Sequence, residues 1–217
     1  MLTDIGPDTR RYLGYRETCE TLHMTRTHLY RLQQEGLRPS PDVLVLGGGG
    51  SVPETYGWDK GRILSYGRDI GHLDDKGQLV HEGQAQHGGQ LRGTADHSAK
   101  FRSLISSEER RALILRRYSG PTKTYFGTWV CSRVYDMKKH SVYFLRHRTS
   151  FITADVKVGD VYGWDESRVI EFGKQTGRLP AEKLKLWANR RTTEYRLDPD
   201  VPWVIDLLGK DNLPALP

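Results

Sequence analysis

The tetrapeptide Tyr-Gly-Trp-Asp occurs twice in this chain, at residues 56–59 and again at residues 162–165. The similarity continues beyond it in both places: a basic, an aliphatic, an aromatic and a glycine position recur with the same offset of 106 residues (162 − 56). A shared pattern of this length is not expected by chance. Because self-similarity at a fixed offset indicates an internal repeat, we infer that the chain carries two copies of one module.

The repeat extends towards the N-terminus with a slightly different offset. Tyr-Leu-Gly at 12–14 recurs as Tyr-Phe-Gly at 125–127, an offset of 113 residues (125 − 12). The difference of seven residues falls at 47–53, where copy one reads Gly-Gly-Gly-Gly-Ser-Val-Pro. Glycine and proline predict a surface loop that is longer in copy one. The glycine run lacks the Gly-Lys-Ser/Thr that completes a phosphate-binding P-loop.

Composition favours small, basic modules. The chain has 217 residues, which allows one large domain or two small ones, and the repeat favours two. Hydrophobic residues make up 36%, which predicts compact modules with small cores. The formal net charge of +6 is consistent with a polyanionic partner, although many proteins are mildly basic.

Several classes of protein are disfavoured. Cys19 and Cys131 have neither a CxxC partner nor a nearby histidine, so we expect no disulfide and no metal site, and two small buried residues in a reducing cytoplasm. No apolar run resembles a signal peptide or a membrane span. No catalytic arrangement recurs in both copies. We therefore expect no enzyme activity, no cofactor and no membrane partner, and a cytoplasmic, nucleoid-associated location.

Each copy contains a pair of helices in the predicted pattern. In copy one, a short helix at 16–22 is followed by Thr25, a suitable N-cap for a second helix that ends at Gly36. Leu29 and Leu32 lie on one face of that helix and pack inward with Met24. The opposite face is polar and basic and carries Arg26, Thr27, Tyr30, Arg31 and Gln34.

Copy two repeats this arrangement. Val142 and Leu145 face inward, whereas the outward face carries Lys138, Lys139, His140, Tyr143 and Arg146. Such side chains reach guanine edges, other base edges and phosphates. Either face alone fits an ordinary solvated helix, but their recurrence favours a DNA-reading surface. Arg38 and Lys157 complete the candidate contacts.

A wing and a third helix follow in each copy. The Val-, Leu- and Gly-rich stretches at 42–46 and 151–161 predict a short β-hairpin. Trp58 and Trp164 then open an amphipathic helix, with an aspartate near its N-terminus where the helix dipole favours a carboxylate. We predict that both tryptophans pack in the core rather than stack on bases.

Each copy resembles the MerR-like and excisionase-like winged helix-turn-helix family. The matching stretches are 24–31 with Gly71, and 137–143 with the Gly-Arg pair at 177–178. The resemblance implies that the second helix enters the major groove and that the wing contacts the adjacent backbone or minor groove. Copy two departs from the family pattern, because Lys138 replaces the usual Ser/Thr cap. We therefore expect its reading helix to begin differently.

The fold prediction is a mainly α protein with short β wings, built as two winged helix-turn-helix modules joined by a linker and a helix. The first module spans 1–75, the linker and connecting helix 76–120, the second module 121–180, and a C-terminal helix and tail 181–217. The linker histidines His81, His87 and His97 are expected to be solvated. The connecting helix either packs on copy two or rests a basic face on phosphates. For the tail, packing is favoured over self-association or binding of a protein partner.

The functional expectation is sequence-specific binding of double-stranded DNA at an asymmetric composite site. The resemblance to this family favours a transcriptional regulator, specifically a repressor of phage or mobile-element type. Two alternatives stay open: an excisionase-like or partition protein that shapes DNA, and an adaptor that kept the fold but binds proteins.

Overall fold

The computed structural model describes residues 6–49, 52–80, 108–148, 151–198 and 200–209. Copy one consists of three strands and three helices, in the order β1 (Arg10–Tyr12), α1 (Tyr15–Thr21), α2 (Arg26–Gln34), β2 (Val43–Gly49), β3 (Val52–Gly57) and α3 (Lys60–Asp69). The helix α4 (Glu108–Tyr118) precedes copy two.

Copy two has the same order of elements: β4 (Lys123–Phe126), α5 (Thr128–Val134), α6 (Lys139–His147), β5 (Val156–Val158), β6 (Val161–Gly163) and α7 (Glu166–Gln175). Two further helices follow, α8 (Ala181–Thr193) and α9 (Pro202–Leu208). The described part is a mixed α/β structure in which helices predominate and the strands form two small sheets, where we had expected a mainly α protein.

The structural repeat follows the sequence repeat residue by residue. Helices α2 and α6 both have nine residues, and their first residues are 113 positions apart (139 − 26). Helices α3 and α7 both have ten residues and begin 106 positions apart (166 − 60). The duplication inferred from the sequence is therefore present in the structure at the same two offsets.

The two copies exchange their first strands. The sheets have the orders β1-β5-β6 and β3-β2-β4, so the first strand of each copy lies beside the hairpin of the other. Strand β1 is parallel to β5, with Arg10 opposite Val156, and strand β4 is parallel to β2, with Lys123 opposite Val43. Each hairpin thus gains a third strand from the opposite copy, a pairing that the sequence did not predict.

The glycine of the repeated Tyr-Gly-Trp-Asp lies where the two sheets meet. A Cβ atom on Gly57 would lie 2.8 Å from Val158 Cγ2, and one on Gly163 would lie 3.0 Å from Val45 Cγ2. Both valines belong to the opposite copy. Only glycine permits this approach, because a methyl group there would overlap the neighbouring side chain. Buried Val43, Val45, Tyr125, Val156 and Val158 form the apolar layer between the sheets.

Both tryptophans of the repeat pack in the core, as predicted. Trp58 and Trp164 are fully buried, and the indole Nε1 atoms donate hydrogen bonds to the carbonyl oxygens of Pro39 (3.0 Å) and Ile152 (2.9 Å). These two carbonyls are themselves equivalent, 113 positions apart (152 − 39). A buried indole N–H needs such an acceptor, which explains why the tryptophan is repeated together with its surroundings.

The connecting helix packs on copy one. Ile114 and Tyr118 of α4 are buried against the core of copy one. The Tyr118 hydroxyl donates to Asp69 Oδ2 on α3 at 2.6 Å, and the Tyr118 carbonyl accepts from the Ser40 amide at 3.0 Å. Packing on copy two, one of the two alternatives left by the sequence, is therefore not found, whereas Arg111 and Arg116 remain exposed and the predicted contact of a basic face with phosphates stays a prediction.

The C-terminal helices pack on copy two. Leu184 and Trp187 of α8 are buried in its core, and Trp203 and Leu207 of α9 pack against it. Arg191 is 2% exposed and pairs with Glu166 of α7 through two hydrogen bonds of 2.7 and 2.8 Å. Packing, the favoured prediction for this region, is therefore found for α8 and α9.

Some predictions concern residues outside the described ranges. The linker histidines His81, His87 and His97 are among them, as is the end of the tail from residue 210. Cys19 and Cys131 are buried free thiols, as predicted. Within the described residues, no helix combines the length and the apolar character that crossing a bilayer requires.

Candidate nucleic-acid interface

A tight turn joins the first two helices of each copy. His23 and Asp136, at equivalent positions, adopt positive φ angles of 49° and 54°. The left-handed conformation is uncommon for residues other than glycine, and histidine and aspartate are among those that tolerate it. The turn is closed by equivalent backbone hydrogen bonds, from Met24 N to Cys19 O (2.9 Å) and from Met137 N to Ser132 O (2.8 Å). Helix, turn and second helix thus recur with one backbone geometry.

The second helices begin at equivalent residues despite different caps. In copy one, Thr25 Oγ1 accepts a hydrogen bond from the His28 amide at 3.3 Å. In copy two, Lys138 provides no side-chain cap, yet its backbone is extended like that of Thr25 and α6 begins at the next residue. The expectation that the second helix of copy two begins differently therefore holds for its cap, which lacks the side-chain hydrogen bond, but not for the residue at which the helix starts.

The outward face of α2 is exposed along its whole length. Leu29 and Leu32 are buried, as the helical periodicity predicted. The polar side chains predicted to face away from the core are exposed, and they are Thr25, Arg26, Thr27, Tyr30, Arg31 and Gln34. The Tyr30 side chain is 56% exposed. Copy one therefore presents two guanidinium groups, an amide, hydroxyl groups and an aromatic ring on one helix face.

The outward face of α6 combines cations with aromatic rings. Lys138, His140 and Tyr143 are exposed. Lys139 is the first residue of α6, and its side chain lies outside the described part. Arg146 is half-buried, with its guanidinium carbon 4.2 Å from the ring centre of Tyr162 and 5.2 Å from that of Tyr143.

The β5–β6 hairpin of copy two contacts α6 through Tyr162. The ring of this strand residue lies under Arg146 of α6, and Lys157 Nζ lies 5.4 Å from the same ring centre. A cation above an aromatic face is stabilised electrostatically. The two predicted contacts Arg146 and Lys157 therefore converge on one point between helix and wing.

Arg38 of copy one lies over the core tryptophan of its module. It is half-buried, its guanidinium carbon lies 5.0 Å from the Trp58 ring centre, and burial lowers its pKa from the ordinary value. The equivalent residue in copy two is Phe151, which is buried in the core. Arg38 thus occupies the place of a core aromatic ring, and it packs on the module as well as carrying charge.

Phe144 belongs to the same surface and was not among the predicted residues. On α6, its ring centre lies 6.3 Å from that of His140 and 6.2 Å from that of Tyr143, and the residue is 55% exposed. Its equivalent in copy one is Arg31 (144 − 113). Phe144 can be identified from the sequence by aligning the two copies at this offset, because the alignment places it at the position of Arg31, a predicted DNA contact.

A repeated ion pair fixes each hairpin to the third helix. In copy one, Asp42 accepts hydrogen bonds from the Asp59 amide and from Arg62 Nη1, both at 2.8 Å. In copy two, Asp155 accepts a hydrogen bond from the Asp165 amide at 2.8 Å and pairs with Arg168. These bonds hold each hairpin at a defined place relative to the rest of its module.

Asp165 is held in its ionised form by its neighbours. Burial raises the pKa of Asp165, but hydrogen bonds from the Ser167 hydroxyl (2.6 Å) and from Lys123 Nζ (3.0 Å) outweigh it, so that the net pKa lies below the ordinary value. Lys123 is the first residue of the exchanged strand β4. Its ion pair therefore connects that strand to the first turn of α7.

The outward faces of α2 and α6 carry groups suited to contact with a nucleic acid. Between them, the two faces offer guanidinium and ammonium groups for phosphates and base acceptors, amide and hydroxyl groups for hydrogen bonds, and aromatic rings for apolar contact. Within the described ranges, no group of three or more His, Cys, Asp or Glu side chains is arranged to hold a metal ion.

Comparison of the chain with family models, with curated proteins and with solved structures gave no match.

Proposed function

We propose that this protein binds double-stranded DNA sequence-specifically through two winged helix-turn-helix modules, with α2 and α6 as the reading helices. One observation carries the proposal. Two helices of equal length follow equivalent left-handed turns, and each exposes a polar, cation-bearing face opposite an apolar one. A lone helix of this kind fits a solvated surface, whereas a duplicated pair with one geometry fits a composite reading surface.

The chemistry of α2 supports base reading as well as backbone contact. Arginine forms bidentate hydrogen bonds with guanine O6 and N7, and glutamine does so with adenine. Arg26, Arg31 and Gln34 are all exposed on this helix. The hairpins, held by the Asp42–Arg62 and Asp155–Arg168 ion pairs, lie beyond the helices in the order that a wing requires.

The biological role follows from the resemblance of the two modules to MerR-like and excisionase-like proteins. We propose a transcriptional regulator that acts as a repressor, of the kind encoded by phages and mobile elements. A single compact operator bound by one chain fits this role, since the two modules are already joined without a second protomer.

The test is selection of bound duplexes from a random library by the full chain, followed by fluorescence anisotropy on the enriched site at two salt concentrations. Arg31→Ala is expected to weaken binding by about 1–3 kcal/mol and to relax the sequence preference at one position. Lys138→Ala is expected to weaken binding to all sequences and to reduce the salt dependence, as loss of a phosphate contact does.

Lys185→Ala is the matched control, because Lys185 is an exposed cation that belongs to α8 and to neither of the proposed reading helices. It should leave the affinity unchanged. If no sequence is enriched, and if Arg31→Ala binds as the unmodified protein does, the proposed function is wrong.

A further inference from the structure

The strand exchange has the symmetry of a twofold axis. Arg10 pairs with Val156, and its equivalent Lys123 pairs with Val43, the equivalent of Val156. When the two copies are interchanged, this set of contacts is mapped onto itself. An interface in which i contacts j and j contacts i is isologous, and the rotation that produces it is a twofold one.

The packing of the sheets shows the same reciprocity. Gly57 packs against Val158 of the opposite copy, and Gly163 packs against Val45 of the opposite copy. Gly57 and Gly163 are equivalent at offset 106, and Val45 and Val158 are equivalent at offset 113. Strand pairing and side-chain packing therefore indicate one pseudo-twofold axis between the copies.

The axis relates the two reading helices, because each is fixed to its own copy. Leu29 of α2 is buried in the core of copy one, and Val142 of α6 is buried in the core of copy two. Two reading helices related by a twofold axis meet DNA half-sites that run in opposite directions, as in dimeric helix-turn-helix proteins. A head-to-tail arrangement of the modules would instead require a direct repeat.

The outward faces depart from this symmetry most sharply at one position. Tyr30 and Tyr143 are identical equivalents, and both are exposed. The next residue is Arg31 in copy one and Phe144 in copy two, both exposed. Arginine selects guanine, whereas phenylalanine makes apolar contact with the C5-methyl group of thymine.

We infer that the target is an inverted repeat whose halves differ at the base pair faced by Arg31 in one half and by Phe144 in the other, guanine in the first and thymine in the second. The inference rests on the proposed function. It adds the orientation of the half-sites and the residue pair that makes the site asymmetric.

The experiment uses the full chain and two reciprocal variants, Phe144→Arg and Arg31→Phe. Library selection with the unmodified protein is expected to yield an inverted repeat whose halves differ at the position faced by Arg31 and Phe144. Phe144→Arg should enrich guanine at that position in both halves, and Arg31→Phe should enrich thymine in both. Thermal unfolding of each variant checks that the fold is kept, which the exposure of both side chains leads us to expect.

A second measurement tests the methyl contact directly. Replacing the selected thymine by uracil removes only the C5-methyl group and is expected to weaken binding by about fourfold, the effect of one buried methyl or methylene group. The Arg31→Phe variant keeps Phe144 in copy two. In the half-site read by copy two, the same replacement should therefore weaken binding of this variant by the full amount if Phe144 contacts the methyl group, and should have no effect if it does not. Only the full effect agrees with the inference.

The outcomes separate the two proposals. A direct repeat, or variants that leave the enriched base unchanged, overturns the inference while DNA binding stands. Absence of any enriched sequence overturns the proposed function and the inference with it.

Discussion

The two copies of the module agree in the interior and differ on the surface. Trp58 and Trp164 keep the same burial and the same backbone acceptor, and Gly57 and Gly163 make the same close approach to the opposite sheet. The outward residues of α2 and α6 have diverged instead. The shared residues are those that the core and the strand exchange require, so the difference indicates that the architecture constrains the sequence more strongly than the outward faces of α2 and α6 do.

The copies also differ in what covers them. Copy one is covered by α4, which is inserted between the copies in the chain, and copy two is covered by α8 and α9, which follow it. The first residue of the third helix reflects this difference. It is exposed Lys60 in copy one, whereas in copy two it is Glu166, which pairs with buried Arg191.

The largest expected effect tests this difference. Glu166→Gln should lower the free energy of unfolding by about 3–5 kcal/mol, because it leaves the buried guanidinium of Arg191 without its carboxylate. Urea unfolding followed by circular dichroism measures the change. Lys60→Gln, at the equivalent exposed position, is the control and should stay within about 0.5 kcal/mol of the unmodified protein. Equal effects of both substitutions would contradict the assigned role of the ion pair.

A second pair of substitutions tests what the copies share. Gly57→Ala and Gly163→Ala should each destabilise the protein by about 1–3 kcal/mol, since the added methyl groups would lie 2.8 Å from Val158 Cγ2 and 3.0 Å from Val45 Cγ2 on the opposite sheet. Thermal unfolding provides the measurement.

Gly120→Ala makes the same chemical change where the nearest atom to a Cβ is 3.9 Å away, on Arg62. It should leave the melting temperature nearly unchanged. A stable Gly57→Ala variant would show that the sheets do not meet as described.

A smaller effect is expected from pH. The pKa of Asp165 is lowered in the folded protein, so its carboxylate stabilises the fold above the unfolded value of about 4, and this contribution is lost as pH falls through the folded pKa. Asp165→Asn should therefore reduce the loss of stability on acidification below about pH 4. Lys123→Met should act in the same direction by removing the ion pair. If both variants have the acid profile of the unmodified protein, Asp165 does not carry this dependence.

The smallest expected effect concerns the covalent connection. A protease site introduced between residues 81 and 107 and then cut should leave the two pieces associated. Two parallel strand pairs, the apolar layer between the sheets and the packing of α4 on copy one hold them together. Size-exclusion chromatography of the cut protein should show one peak at the original position, and two separate peaks would mean that the exchange does not join the copies.

Local features of this protein were determined by its sequence. The repeat, the inward positions Leu29, Leu32 and Val142 and the core role of both tryptophans were predicted correctly. Helical periodicity and residue size act over a few neighbouring residues, and a duplicated pattern doubles the available information. The exposed faces of α2 and α6 followed from the same periodicity.

Only the tertiary structure decided how the copies combine. Three-residue strands such as β1 and β5 pair across more than a hundred residues of sequence. So short a stretch does not contain enough information to predict which other strand it pairs with. For the same reason, the sequence left open where α4 packs and did not reveal that Arg38 and Arg146 rest on aromatic rings. Partner choice depends on which surfaces remain apolar after the local elements have formed, and this is a property of the assembled fold rather than of any segment.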